Sequence, residues 1–222
     1  MLLASLLTLL LPSLTTAADQ TLNPDLNAKL MLAATNVDRQ ALLPKNEDWI
    51  FDFTQQKVYT FAPGSVVNAN AATFPTLAGV GMTMAQLNLG PCAMLPPHWH
   101  PRATNLVVAV TGNITTWMVG ENGVKVVTTE LTPGKMTVFP RASLHAMQNN
   151  GCDNAQLISA LNSDDAGTTN IFNTAFDNIP HEVLAAAFGD DEFDAGTVGK
   201  NIPKVGTGSV MGSAECRRRC GI

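Results

Sequence analysis

The sequence predicts an all-β protein, a sandwich or closed barrel of short strands followed by short helices. Valine and threonine recur in brief runs such as Leu106-Val107-Val108-Ala109-Val110, which suit strands. Gly and Pro, at 17 and 13 residues, punctuate these runs at turn spacing, and aromatic content is only 6%. A length of 222 residues fits one large β domain. The net charge of −5 excludes nucleic acid as a partner, because that function calls for a basic face.

The chain opens with an apolar run from Leu2 to Leu14, too short to span a bilayer comfortably and interrupted by Pro12. The small residues Thr15 to Ala18 supply a cleavage pattern, so residues 1–18 read as a secretory signal peptide. The expected protein is therefore secreted, extracellular or in a cell wall, with no membrane attachment after cleavage. Asn23-Pro24-Asp25 has the form of a helix start, and Leu26, Leu30, Ala33, Ala34 and Val37 follow at helical spacing. Residues 19–47 are thus an N-terminal helical extension, expected to pack on the main body or on a second subunit.

A β domain is expected over 48–189. Residues 49–53 and 57–61 read as strand-like runs before the Pro63-Gly64 turn, and 77–89 feeds another strand. Asn122-Gly123 marks a hairpin between 114–119 and 124–129. Residues 136–139, the run from His145, and 156–161 complete the core. Pro180 to Phe188 predicts a helix ended by Gly189. The tail, 190–222, ends in Cys216-Arg217-Arg218-Arg219-Cys220, whose arginines read as a solvated face.

The chemistry concentrates between Cys92 and Asn149. His98 and His100 are one residue apart, a spacing that presents two imidazoles on one face of a strand. Paired imidazoles suit a divalent transition metal. A third histidine, His145, lies in a later stretch, so three of the four histidines fall in these two segments. The fourth, His181, sits at a helix start with no ligand spacing. Trp99 points away from the two imidazoles and is expected to pack.

An oxidising compartment makes Cys92, Cys152, Cys216 and Cys220 disulfide candidates. Four cysteines allow three connectivities, and spacing selects none of them. The expectation adopted is Cys92 with Cys152, at the edges of the two histidine segments, and Cys216 with Cys220. Asn113-Ile114-Thr115 is a glycosylation sequon in an expected turn, with Asn113 as acceptor.

The two segments resemble the signature motifs of the cupin superfamily, G-x5-H-x-H-x3-4-E-x6-G and G-x5-P-x-G-x2-H-x3-N. His98-Trp99-His100-Pro101-Arg102-Ala103-Thr104 resembles the germin-like branch, and the cysteine tail resembles its secreted spherulin-like relatives. The resemblance implies a cupin jelly-roll barrel with His98, His100, His145 and position 105 as metal ligands, manganese in the family. It also implies homo-oligomeric assembly, a small-molecule ligand and oxidoreductase-type activity.

Three positions depart from the pattern. Cys92 and Ala142 replace motif glycines, the latter being tolerable only at a negative φ. Asn105 replaces the glutamate. An amide in place of a carboxylate removes a negative charge from the ligand set, which lowers manganese affinity and shifts preference towards Zn, Cu or Fe. It also makes a non-catalytic cell-wall, stress or binding role the alternative function.

Overall fold

Two antiparallel sheets face one another across a single apolar core. The computed structural model describes residues 19–222, and the expected signal segment 1–18 lies outside the described residues. The strands are β1 (Gly64–Ala69), β2 (Thr83–Leu89), β3 (Ala93–Trp99), β4 (Asn105–Thr111), β5 (Ile114–Val119), β6 (Val127–Leu131), β7 (Met136–Phe139), β8 (Leu144–Asn149), β9 (Ala155–Leu161), β10 (Thr169–Asn170) and β11 (Val210–Met211). One sheet runs β1-β2-β9-β4-β7. The other runs β10-β3-β8-β5-β6, with β11 also paired to β3. The fold class is the one the sequence predicts.

Alternation along the strands decides what enters the core. In β9, Ala155, Leu157, Ser159 and Leu161 are buried and the residues between them are half-buried. Leu157, Ile114, Val107 and Phe139 are almost wholly enclosed. Each such side chain contributes on the order of 1.5–3 kcal/mol by leaving water.

The N-terminal extension is helical, but in two pieces, α1 (Pro24–Leu32) and α2 (Asn36–Leu42). The single helical run read through Val37 is broken because Thr35 adopts an extended conformation. Its hydroxyl accepts from the Asp38 N–H and starts a second helix. Asn23 caps α1 as the sequence indicates. Leu30 and Leu43 close over Ala78 in a small cluster of their own.

Residues 49–53 and 57–61 are not strands. They lie in two 3-10 turns, Asn46–Trp49 and Phe53–Gln55, and a loop, where Asp48 and Asp52 side chains bond to backbone N–H groups. The first strand instead starts at Gly64. Helices α3 (Ile171–Asn178), α4 (His181–Phe188), α5 (Ala195–Asn201) and α6 (Ala214–Cys220) follow the barrel. Gly189 ends α4 in the left-handed conformation, as expected.

The disulfides correct the adopted pairing. Cys92 bonds Cys216 and Cys152 bonds Cys220, with Cα separations of 5.7 and 5.2 Å. Cys216 and Cys220 are four residues apart on α6 and share one helix face. That face lies against both the start of β3 and the β8–β9 turn, so each cysteine reaches the barrel rather than its helical neighbour. The two bridges are contiguous, with Cys92 Sγ 3.6 Å from Cys220 Sγ.

The motif-glycine positions give a second correction. Ala142 has φ +63° and Cys92 has φ +54°, so both keep the left-handed backbone without glycine. The negative φ expected for Ala142 is not found. Its turn is held by Ala142 N–H donating to the His100 carbonyl at 3.0 Å and Ser143 N–H donating to the Pro140 carbonyl at 3.0 Å. A left-handed non-glycine residue costs about 1–2 kcal/mol, offset here by this local bonding.

Candidate metal centre

His98 faces inward because of the two prolines before it. Ala93 and Leu95 are inward-facing core residues of β3, and simple alternation would turn His98 outward. Pro96 and Pro97 have no N–H to give the ladder, and the register between β3 and β8 shifts between Leu95 and His98. This bulge re-aims the strand by one residue and buries His98 opposite His145. His100 follows two residues later on the same face. Trp99 falls between them, half-buried and paired with Thr169.

His145 is buried on β8. The ring centroids of the three imidazoles form a triangle with sides of 4.2 Å (His98–His145), 5.3 Å (His98–His100) and 5.3 Å (His100–His145). One ring nitrogen from each lies within 4.8 Å of the other two. His181 is exposed on α4 and takes no part.

Each ring is anchored through Nδ1 to a backbone carbonyl. His98 bonds Pro96 O at 2.7 Å, His100 bonds Gly167 O at 2.7 Å, and His145 bonds Ser143 O at 2.9 Å. A carbonyl only accepts, so Nδ1 carries the proton and Nε2 keeps its lone pair. Burial pushes the His98 pKa down to about 4, helped by the neighbouring His100. Burial likewise pushes His145 down to about 2, with His98 adding to the effect, and lowers His100. All three imidazoles are therefore neutral at physiological pH, with no proton to displace before a metal binds.

Asn105 enters from the facing sheet, at the start of β4, beside Leu161 and Phe139. It is 3% exposed, and its Oδ1 is buried without a hydrogen-bond partner, as is His145 Nε2. Leaving such atoms unpaired costs about 1–3 kcal/mol each. An amide oxygen and three Nε2 lone pairs are all acceptors, and a cation satisfies such a set. The residues present therefore fit a divalent metal. No carboxylate joins the three histidines in this cluster among the described residues.

His98, His100 and Asn105 border a cavity of about 790 Å³ that runs from the barrel interior to its mouth. At the mouth, Arg102 holds the loop that supplies the His100 anchor. Its Nε donates to Asp165 O and its Nη2 to Asp165 Oδ1, both at 2.7 Å. Sequence reading placed Arg102 in the motif without giving it a task. Asn149, the last residue of the second motif, has a structural role. Its Nδ2 donates to Gly90 O at 2.9 Å and Asp153 O at 2.8 Å, and its Oδ1 accepts from Gly151 N–H.

The cupin family model matches residues 53–193, the barrel and its first helices. The chain is a cupin. Within the family it is 32% identical to germin-like protein 5-1 of Oryza sativa subsp. japonica, over 83% of this chain and 86% of the relative. Spherulin-1A of Physarum polycephalum is 28% identical over 90% of this chain and 80% of its own. Among solved structures, an oxalate oxidase in complex with the substrate analogue glycolate superposes with a TM-score of 0.61 and 25% identity. That match covers 68% of this cupin and 77% of the oxidase chain. An oxalate decarboxylase from Bacillus subtilis shares the fold, with a TM-score of 0.62 and 17% identity, over 72% of this chain and 40% of that one. The germin-like resemblance read from the histidine motifs and the spherulin-like one read from the cysteine tail are both correct.

Proposed function

We propose that this protein is a secreted germin-like cupin that binds one divalent transition metal through His98, His100 and His145, with Asn105 as a weaker fourth ligand. The observation that carries this reading is the set of converging, unpaired acceptor atoms, above all His145 Nε2 and Asn105 Oδ1. A bound metal would supply Lewis acidity, and redox chemistry if it is iron, copper or manganese. The chain's own part is to hold three neutral imidazoles in fixed tautomers, keep the centre enclosed and leave the cavity open to a small ligand.

Three imidazoles and an amide suit Zn, Cu or Fe better than manganese, which favours carboxylate and water. Asn105 also has no charge with which to accept a proton at neutral pH. That residue favours a second reading, a metal-dependent binding protein without the oxidoreductase activity of a carboxylate-bearing site.

The same proposal includes removal of residues 1–18 and a glycan on Asn113. Asn113 is exposed in the tight β4–β5 turn, where a glycan meets no obstruction from the core. Both disulfides suit an oxidising compartment. Homo-oligomeric assembly is part of the proposal too. Met84, Leu106, Val138 and Met136 are exposed on the outer face of the sheet that carries β4.

Elemental analysis of the purified secreted protein, with Asn105→Glu alongside, tests the metal assignment. About one equivalent of Zn, Cu or Fe in the wild type and a shift to manganese in Asn105→Glu are expected. Stoichiometric metal in neither overturns the metal centre, and equal manganese in both overturns the role given to Asn105.

A further inference from the structure

The barrel interior is layered. His98, His145, Asn105, Leu161 and Phe139 form the layer nearest the mouth, as their cross-strand pairings show. The next layer inward lies two residues further along each strand, roughly 7 Å deeper at the usual strand rise. It holds Leu95 in β3 (three residues from His98 because of the bulge), Met147 in β8, Val107 in β4, Ala85 in β2, Thr116 in β5 and Ser159 in β9.

Two hydroxyls sit in this otherwise apolar layer. Thr116 Oγ1 is paired with Thr129 Oγ1 at 2.7 Å. Ser159 is 2% exposed, and its Oγ is buried with no hydrogen-bond partner. A native core rarely leaves a hydroxyl in that state, since its desolvation is uncompensated. Ser159 pairs with Ala85 on one side and Val107 on the other, and neither side chain has a polar atom to offer.

Ser159 also borders the same cavity as His98, His100 and Asn105, next to Ala85 and Leu95. The small Ala85 side chain leaves the space open rather than filling it. Ser159 thus lines the cavity past the histidine layer, its unpaired hydroxyl enclosed just behind an aliphatic wall.

We infer that Ser159 is a ligand-positioning residue, hydrogen-bonding a small oxygen-bearing molecule whose other end lies at the histidine centre. This rests on the metal reading above and names the ligand class for that site. The centre has no carboxylate, so a divalent ion there keeps its charge and favours an anionic oxygen. The inner wall is aliphatic and carries a single neutral hydroxyl, which both donates and accepts. One charged end and one short aliphatic, oxygen-bearing end describe a short 2-hydroxy monocarboxylate better than a dianion, whose second charge would meet Leu95, Met147 and Leu161.

Calorimetric titration of the metal-loaded full chain with lactate, glycolate and oxalate tests this, on wild type, Ser159→Ala and Ser159→Thr. Lactate should bind the wild type more tightly than oxalate. Ser159→Ala should weaken lactate about 5- to 10-fold, the effect of one neutral hydrogen bond, and Ser159→Thr should restore most of it. Metal content should stay unchanged across all three, and Ser159→Ala should melt no lower than the wild type, because it removes an uncompensated hydroxyl. A wild type that takes up no metal defeats the metal reading at the first step. A metal-loaded wild type that binds none of the three acids, or prefers oxalate, overturns the ligand class. Equal lactate affinity in Ser159→Ala, or loss of metal from it, overturns the positioning role.

Discussion

The ring of Phe139 lies parallel to that of His145, with centroids 4.2 Å apart and an interplanar angle of 9°. Phe139 also pairs across the ladder with Asn105, so one residue touches candidate ligands from both sheets. Beyond the area it buries, such an aromatic contact contributes roughly 0.5–1.5 kcal/mol. Phe139→Ala should cost about 3–5 kcal/mol of stability. Phe139→Leu keeps most of the volume but not the stacked face, so it should melt close to wild type while binding metal more weakly. Thermal melts paired with metal titration separate the two effects. Unchanged metal affinity in Phe139→Leu would show that the His145 ring needs no brace.

Arg102 should matter to the metal centre without touching it. The His100 ring is oriented by the Gly167 carbonyl, and Arg102 fastens the preceding residues of that loop. Gly167 itself has φ +67°, and a Cβ there would come within 2.7 Å of Arg102 Nη2. Groups that orient a metal-bound histidine typically change affinity about 10- to 100-fold when removed. Arg102→Gln should therefore weaken metal binding by about 10-fold, with the fold intact because the Arg102–Asp165 pair is exposed and adds little stability. Competition against a chromophoric chelator gives the ratio directly, and no change would leave Gly167 positioned by the loop alone.

Acid should destabilise the metal-free protein before it protonates most of the fold's carboxylates. The unfolded chain takes protons on its histidines near pH 6.5. In the folded chain His98 resists until about pH 4 and His145 until about pH 2. Between those values the unfolded state binds more protons, so stability is full above pH 6.5 and falls as pH drops through the window. The slope contributed by each resisting histidine approaches about 1.4 kcal/mol per pH unit. Denaturant titrations of the apo-protein at pH 7, 6, 5 and 4 should show this decline, and His145→Gln should flatten it. An identical slope in His145→Gln would mean the decline comes from other groups.

Much of this molecule was legible because spacing alone carries strand geometry. His98 and His100 on one face follow from spacing, whereas His145 and Asn105 were joined to them only through the resemblance to the two cupin motifs, and the facing-sheet position of Asn105 is seen in the structure. What spacing did not show was how His98 comes to face inward, since the Pro96-Pro97 bulge reverses the alternation set by Ala93 and Leu95. The runs at 49–53 and 57–61 look like strands, but local aspartate bonds hold them in turns. Ser159 left only a faint trace, a hydroxyl at an inward position of an alternating strand. Disulfide pairing depends on where α6 docks, which is a tertiary fact that no cysteine spacing encodes.

Ala142 offers a stabilising change at the edge of the site. Its φ of +63° is strained for any residue with a Cβ. Ala142→Gly removes that strain but gives the unfolded chain more freedom, which returns about 0.4–1 kcal/mol. The balance should be a gain of up to about 1 kcal/mol, read from denaturant midpoints. Metal affinity should hold, because the Ala142 N–H bond to the His100 carbonyl uses backbone alone. A loss of stability would show that the methyl group packs well enough to outweigh the left-handed strain.

The paired bridges to α6 should act as one clamp on the closed end of the barrel. Cys92–Cys216 spans 124 residues of sequence and Cys152–Cys220 spans 68. Long loops constrain the unfolded chain most, and removing such a bridge typically costs about 2–5 kcal/mol. Cys152→Ser with Cys220→Ser should destabilise by an amount in that range. Cys92→Ser with Cys216→Ser should cost more, because Cys92 is fully buried and immediately precedes the strand that carries His98. Removing either bridge should also leave α6 more open to proteolysis, while the other still ties it down. Non-reducing peptide maps check the pairing itself. Recovery of a Cys92–Cys152 peptide would refute it, whereas Cys92–Cys216 and Cys152–Cys220 peptides place both ends of the helix on the barrel.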